Sequence, residues 1–387
     1  MTRTPNGSSR LRVALASSAA AVTLALAACT SQDGTPMPVP SVAPPATPAP
    51  STTTTPAESG PVQPAGTPRV IASDLDLPWS LVRLSTDVTL VSERDTALVK
   101  EIADDGTVRR VGKIEGVVPG GEGGLLGLAV DPSDESSLYA YTTTATDNRI
   151  VRMPLTGAPG SYRLGEATTV LRGIPKAGNH NGGRIKFGPD GMLYATAGDA
   201  GDTSRSQDTG SLGGKILRLE PDGAIPADNP FGNAVFSYGH RNPQGISWDS
   251  AGRMWASEFG QNTWDELNLI SKGSNYGWPI VEGVGSDDRF SNPVKQWSTS
   301  DASPSGLLAT HNTLFMAALR GERLWAIYPD TTEVDAEPWF TGDFGRLRDV
   351  IDGPDGTLWV LTNNTGRSPR DGDDKVLEVR LEGLQEG

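Results

Sequence analysis

Gly188-Pro189-Asp190-Gly191-Met192-Leu193-Tyr194-Ala195-Thr196 returns as Gly353-Pro354-Asp355-Gly356-Thr357-Leu358-Trp359-Val360-Leu361, and more loosely as Asp249-Ser250-Ala251-Gly252-Arg253-Met254-Trp255-Ala256-Ser257. In each copy Asp-Gly or its equivalent supplies a tight turn, and the alternation of apolar and small residues after it supplies the returning strand of a hairpin. Outward from these copies, Leu138-Tyr139-Ala140-Tyr141 after Asp131-Pro132, and Arg323-Leu324-Trp325-Ala326-Ile327, read as further strands of the same kind. From Pro68 onward, short β-branched and aromatic runs are interrupted by Gly, Asp, Asn and Pro, with almost no helical periodicity. Repeats spaced by roughly 40–50 residues imply an all-β domain over 68–387 built as a six-bladed β-propeller, with a pair of packed sheets as the alternative. The long loops of a propeller converge at one end of a central channel, and chemistry is expected there.

The N-terminus has a different logic. Arg3, Arg10 and Arg12 precede an apolar, small-residue run from Val13 to Ala28 that ends in Leu26-Ala27-Ala28-Cys29. This pattern reads as a lipoprotein signal peptide over 1–28. The run is too short and too alanine-rich for a membrane span. Cys29 is the only cysteine, so it has no internal disulfide partner, and its position after a small-residue cleavage site makes it the expected lipidated residue. Several acyl chains would anchor the protein firmly, since each buried methylene contributes about 0.8 kcal/mol. Residues 29–67 are then the lipidated cysteine and a tether rich in Pro, Ser and Thr, with too little apolar surface to offset the entropy of ordering. The expectation is a protein exported and held at the outer face of the cytoplasmic membrane, touching it through the lipid alone.

The formal charge is −14, and residues 1–28 carry three arginines and no acid, so their removal takes −14 to −17. Such a balance disfavours nucleic acid and anionic lipid as partners and suits a neutral substrate or bound cations.

His180, one of three histidines, lies in Gly178-Asn179-His180-Asn181-Gly182-Gly183-Arg184, and Gly198-Asp199 follows the next hairpin. A carboxylate accepting from one ring nitrogen fixes the tautomer and makes the other nitrogen a general base near neutral pH; the bland alternative is a loop histidine satisfying a turn. Arg241-Asn242-Pro243-Gln244-Gly245 sets a guanidinium and an amide side by side. Arg346-Leu347-Arg348 puts two guanidinium groups on one strand face, suited to carboxylates or to surface ion pairs. Gly260-Gln261-Asn262-Thr263-Trp264-Asp265-Glu266, running on to Asn275-Tyr276-Gly277-Trp278-Pro279, offers hard oxygen donors that fit calcium, although not at EF-hand spacing.

Together with Leu77-Pro78-Trp79 and Gly124-Leu125-Leu126-Gly127, these phrases resemble the soluble, pyrroloquinoline quinone (PQQ)-dependent sugar dehydrogenases, the glucose/sorbosone dehydrogenase family, and especially its aldose dehydrogenase branch. The resemblance implies a six-bladed propeller that binds PQQ and calcium and oxidises the anomeric hydroxyl of an aldose to a lactone, passing electrons to an external acceptor. It implies His180 as the general base, Asp199 as its partner, and Arg241 and Asn242 beside the quinone oxygens. Arg346 and Arg348 would face the cofactor carboxylates. The carbonyls of Gly260 and Gln261 would hold the cofactor-linked calcium, and Glu266 and Tyr276 a structural one. Three cofactor or calcium positions depart from the family pattern: Glu122 stands for a glutamine, Arg320 for a lysine and Gln261 for a proline. A non-redox, calcium-stabilised propeller binding a glycan or envelope partner, and a calcium-dependent lactone hydrolase, are the alternatives.

Overall fold

The computed structural model describes residues 60–330 and 334–384. Residues 1–28, Cys29 and most of the tether lie outside the described residues.

The described chain is a ring of six antiparallel blades, each of four strands except the second, which carries a short fifth strand, Arg163–Leu164, paired with Asn148–Thr156. Blade 1 spans 78–113, blade 2 125–174, blade 3 185–238, blade 4 243–298, blade 5 304–339 and blade 6 347–383. The inner strands are Pro78–Arg83, Leu125–Asp131, Ile185–Phe187, Pro243–Trp248, Pro304–Thr310 and Leu347–Asp352. The repeated phrase is the first hairpin of blades 3, 4 and 6, turning from the inner strand into Leu193–Ala197, Met254–Glu258 and Leu358–Thr362 respectively. The six-bladed β-propeller is the observed fold. Among the described residues helix is confined to Ser204–Gln207 and a single 3-10 turn at Pro354–Gly356.

Strands with both faces buried, such as Thr89–Glu93 and Thr313–Ala318, explain the compact apolar runs of the sequence. Each blade lays one face on its neighbour, so the apolar residues gather in six clusters, one per blade junction. Leu90, Val99 and Val111 of blade 1 meet Leu128, Leu138 and Ala140 of blade 2. Trp255, Leu267 and Trp297 of blade 4 meet Met316 and Trp325 of blade 5. The ring closes where Trp359, Leu361 and Val376 of blade 6 meet Leu81, Val91 and Ile102 of blade 1.

That closure uses the N-terminal strand. Val62–Ala72 pairs with Val376–Gly383 as the outer strand of blade 6. β-structure thus begins at Val62, ahead of the Pro68 boundary read from composition. Pro64 and Pro68 disguise the strand, but proline is tolerated on an edge strand because no further neighbour needs its N–H. Val62 is also clasped by Thr313, whose Oγ1 accepts from Val62 N at 3.0 Å and lies 3.1 Å from Val62 O. Thr313→Val removes both buried bonds and leaves the Val62 amide unpaired, so the urea unfolding midpoint should fall by the equivalent of about 1–3 kcal/mol, measured by tryptophan fluorescence.

Candidate active site

Four blades are tied together across the channel by one buried ion pair, made by Arg184, just ahead of the blade 3 inner strand, and Asp349 of blade 6. Arg184 Nη1 lies 2.7 Å from Asp349 Oδ2. Arg184 Nε donates to Gln244 O at 2.9 Å, and Leu81 N donates to Asp349 Oδ2 at 2.8 Å. The Arg184 guanidinium also lies 4.4 Å from the Trp79 ring centroid. Trp79 and Gln244 in turn line a cavity of about 590 Å³, within the usual range of ligand sites.

His180 sits next to this cavity, whose wall includes Gly178 and Glu122, on a loop held from several sides. Asn181 Oδ1 accepts from Asn148 Nδ2 at 2.9 Å, and Tyr141 Oη donates to Asn181 O at 2.9 Å. Gly182 adopts φ +63°, and a Cβ there would meet Thr196 O at 2.5 Å, so only glycine fits. His180 itself sits at φ +53°, which is unusual for a residue with a side chain. Its main chain is clamped on both sides: His180 N donates to Glu122 Oε2 at 2.8 Å, and Ala200 N donates to His180 O at 3.1 Å.

The structure brings His180 and Asp199 together, with Nδ1 and Oδ1 2.7 Å apart. Asp199 is fully buried. Burial alone would raise its pKa, but hydrogen bonds from His180, Gly201 N and Trp278 Nε1 outweigh it and hold the carboxyl below its ordinary value. The ionised acceptor commits His180 Nδ1 as the donor and leaves Nε2 free as an acceptor.

Arg241, Arg346 and Arg348 each leave a buried Nε without a partner. Arg241 Nη1 donates to Phe259 O at 3.3 Å, and its guanidinium stacks 5.4 Å from the Trp278 ring. Arg348 donates to Gln244 Oε1 at 2.8 Å and to Asn363 Oδ1 at 3.2 Å. Burial, together with Arg346, Arg94 and Arg184, pushes Arg348 down from its ordinary value. A guanidinium does not give up its proton in a protein, so this crowding is an unmet demand for an anion. Arg346 is pushed the same way, by burial and by Arg367. The cavity walls carry Arg94, Arg320, Arg346, Arg348 and Arg367 against the single carboxylate of Glu122.

His180, Arg241 and Asn242 lie beside this cavity and are not among the residues that line it. Asn242 is turned to the His180 loop. Its Oδ1 accepts from Gly182 N at 2.9 Å, so it supports the His180 loop. Glu258, for which the sequence offers no signal, organises this side of the site: its Oε1 accepts from the amides of Arg241 and Asn242, and its Oε2 lies 2.8 Å from His240 Nδ1. Glu266 is the cross-strand partner of Glu258, and burial plus that neighbouring carboxylate push it up. Tyr276 stacks on His240 at 4.7 Å, while its hydroxyl donates to Leu269 O. Glu266 and Tyr276 therefore flank the His240–Glu258 pair from different sides. Among the described residues no three His, Cys, Asp or Glu side chains gather into a metal cage. Gly260 and Gln261 lie on the loop after Glu258, where a cation would be held by main-chain oxygens.

A family profile described as Glucose / Sorbosone dehydrogenase matches residues 75–370. The chain belongs to this family. Its fold matches the PQQ-bound form of aldose sugar dehydrogenase from Streptomyces coelicolor with a TM-score of 0.78 and 49% identity, over 84% of this chain and 99% of that one. It is 28% identical to quinoprotein glucose dehydrogenase B of Acinetobacter calcoaceticus, over 78% of this chain and 86% of the relative. It is 31% identical to an aldose sugar dehydrogenase of Escherichia coli, over 76% and 90%.

Trp278→Phe removes a donor to Asp199 and keeps the packing. A carboxyl whose folded pKa is depressed stabilises the fold fully above its unfolded value, about 3.9, and that stability is lost as pH falls through the folded value. The variant raises the folded value, so less stabilisation is gained above pH 4. In acid titration followed by circular dichroism, its unfolding midpoint should move to higher pH than that of the unmodified protein.

Proposed function

We propose that this protein is a quinoprotein aldose dehydrogenase that oxidises the anomeric hydroxyl of an aldose to the lactone, using PQQ and calcium, and passes the electrons to an external acceptor. The observation that carries this reading is the His180–Asp199 couple beside a cavity where arginines outnumber carboxylates and buried guanidinium nitrogens lack partners. The relatives named above support it.

The donor set fits the cofactor. PQQ bears three carboxylates, and Arg94, Arg320, Arg346, Arg348 and Arg367 would hold them, Arg346 and Arg348 with donors to spare. Arg320 keeps the charge of the lysine it replaces and adds a planar, bidentate donor. Bound there, PQQ supplies the two-electron oxidant, with calcium on the carbonyls of Gly260 and Gln261 as fixed positive charge beside it. Glu122 is compatible with an anionic ligand because its Oε2 is engaged by the His180 amide and its charge is felt by Arg241, Arg346 and Arg348.

The proton step belongs to His180. With Nδ1 committed to Asp199, Nε2 takes the anomeric hydroxyl proton as hydride leaves the same carbon, and the carbon–oxygen bond becomes the carbonyl of the lactone. The imidazolium that forms is stabilised by Asp199 without proton transfer to it. Arg241, stacked on Trp278 beside the cavity, would contribute fixed positive charge near a bound quinone.

His180→Ala should lower kcat by at least about a hundredfold, the low end of what a general base contributes, while PQQ still binds with near-normal affinity, measured by absorbance titration in excess calcium and dye reduction with a panel of aldoses. Retained turnover sinks the role of His180. Failure of the unmodified protein to bind PQQ at all would leave a propeller that binds a glycan or envelope partner without redox chemistry.

The same proposal places the protein outside the cytoplasmic membrane, anchored by acylated Cys29; the leader and lipobox pattern of 1–29 supports this. Cys29→Ser should release the protein from membranes into the soluble extracytoplasmic fraction on cell fractionation, and unchanged membrane association would contradict it.

A further inference from the structure

Five consecutive amides of the loop after Glu258 all donate to carboxylates. Gly260 N reaches Asp265 Oδ1 at 2.8 Å. The amides of Gln261, Asn262, Thr263 and Trp264 converge on Glu282 Oε1 at 2.7, 3.1, 3.0 and 3.2 Å. Successive N–H groups turned onto one anion form a nest. The contact is tight: a Cβ on Gly260 would meet Trp264 O at 1.7 Å and Glu282 Oε1 at 2.9 Å. Burial would raise the Glu282 carboxyl, but the four amides overcome it and hold the group below its ordinary value.

The nest has a geometric consequence on its outer side. In a trans peptide the carbonyl of one residue points opposite the N–H of the next. The bonds from Gln261 N and Asn262 N therefore turn the carbonyls of Gly260 and Gln261 away from Glu282. Those are the two oxygens given to calcium under the proposed function. Glu282 is itself secured through the next residue, since Gly283 N donates to Glu266 Oε1 at 2.7 Å. Asp265 is fixed by Ser303 N at 2.6 Å, and Ser303 lines the arginine-rich cavity. The loop is thus braced against both the 281–283 segment and the cavity wall.

We infer that Glu282 is a positioning residue: its carboxylate folds the 260–264 loop into a carbonyl-presenting cation site before the ion arrives, and it acts through the main chain. The inference rests on the calcium reading above. Without the carboxylate, four amides lose their common acceptor and the peptide planes are free to rotate, so the carbonyls are no longer aimed together. Supporting groups of this kind typically change metal affinity by about 10–100-fold.

The test uses the folded full-length chain freed of calcium and without quinone. Calcium affinity is measured by titration calorimetry, and exchange of the 261–264 amides by hydrogen–deuterium mass spectrometry, for the unmodified protein, Glu282→Ala and Glu282→Gln. The expected result is at least a tenfold weaker calcium affinity and faster exchange of those amides in Glu282→Ala. Glu282→Gln, which keeps an acceptor oxygen, should fall between. Thr313→Val serves as a destabilised control and should leave calcium affinity unchanged. If Glu282→Ala binds calcium as the unmodified protein does, or Thr313→Val weakens it equally, the positioning role is overturned. If the unmodified protein shows protected amides but binds no calcium, the calcium reading fails and takes this proposal with it; the protected amides distinguish that outcome from an unformed loop.

Discussion

The Arg184–Asp349 ion pair is the constraint around which the site is arranged. It joins Ser80 and Leu81 of blade 1, the His180 loop leading into blade 3, Gln244 of blade 4 and Asp349 of blade 6 at the channel axis. Breaking one partner of such a buried pair leaves an uncompensated charge, so these blades hold one relative position. Trp79 lies against the same guanidinium and also lines the arginine-rich cavity. The floor of the cavity and the junction of the blades are therefore parts of a single layer.

Above that layer the protein uses carboxylates to hold main-chain amides. Glu122 holds His180, Glu258 holds Arg241 and Asn242, Glu282 holds the 261–264 loop, and Asp374 accepts from Asn364 N, with the Asn364 side chain in turn accepting from Arg346 N. Each acid fixes the main chain of a loop beside the cavity. The result reconciles two facts of charge. The chain carries −14 overall, yet the cavity is lined by five arginines and one carboxylate. Several acids near the site are engaged by backbone amides, while Arg346 and Arg348, each with a buried unpartnered Nε, line the cavity.

Much of the architecture could be read along the chain. The Gly-Pro-Asp-Gly hairpins are local objects, since turn chemistry and strand alternation are set by adjacent residues. His180 and Asp199 were legible because one hairpin separates them. Val62–Ala72 was not legible: two prolines and little apolar character look like tether until the strand finds the edge of blade 6. Nor was Trp278 as a donor to Asp199, because its phrase gives no sign of which blade it faces. The contact of the Asn242 side-chain oxygen with Gly182 N was not legible either, because it is set by the approach of two loops distant in sequence.

The sequence by itself determined an all-β chain of repeated hairpins and a histidine and a carboxylate at the span of one hairpin, because each depends on residues close together along the backbone; Arg346 and Arg348, read as one face of a strand, instead fall just before the strand Leu347–Asp352 and at its register shift. Only the tertiary structure decided that Arg94, Arg320, Arg346, Arg348 and Arg367 share one cavity with Glu122, that Glu258 and Glu282 hold the loops around it, and that the first strand closes the last blade. Those relations join positions tens to hundreds of residues apart, and they exist only once the ring has closed and brought the ends of its inner strands to a common axis.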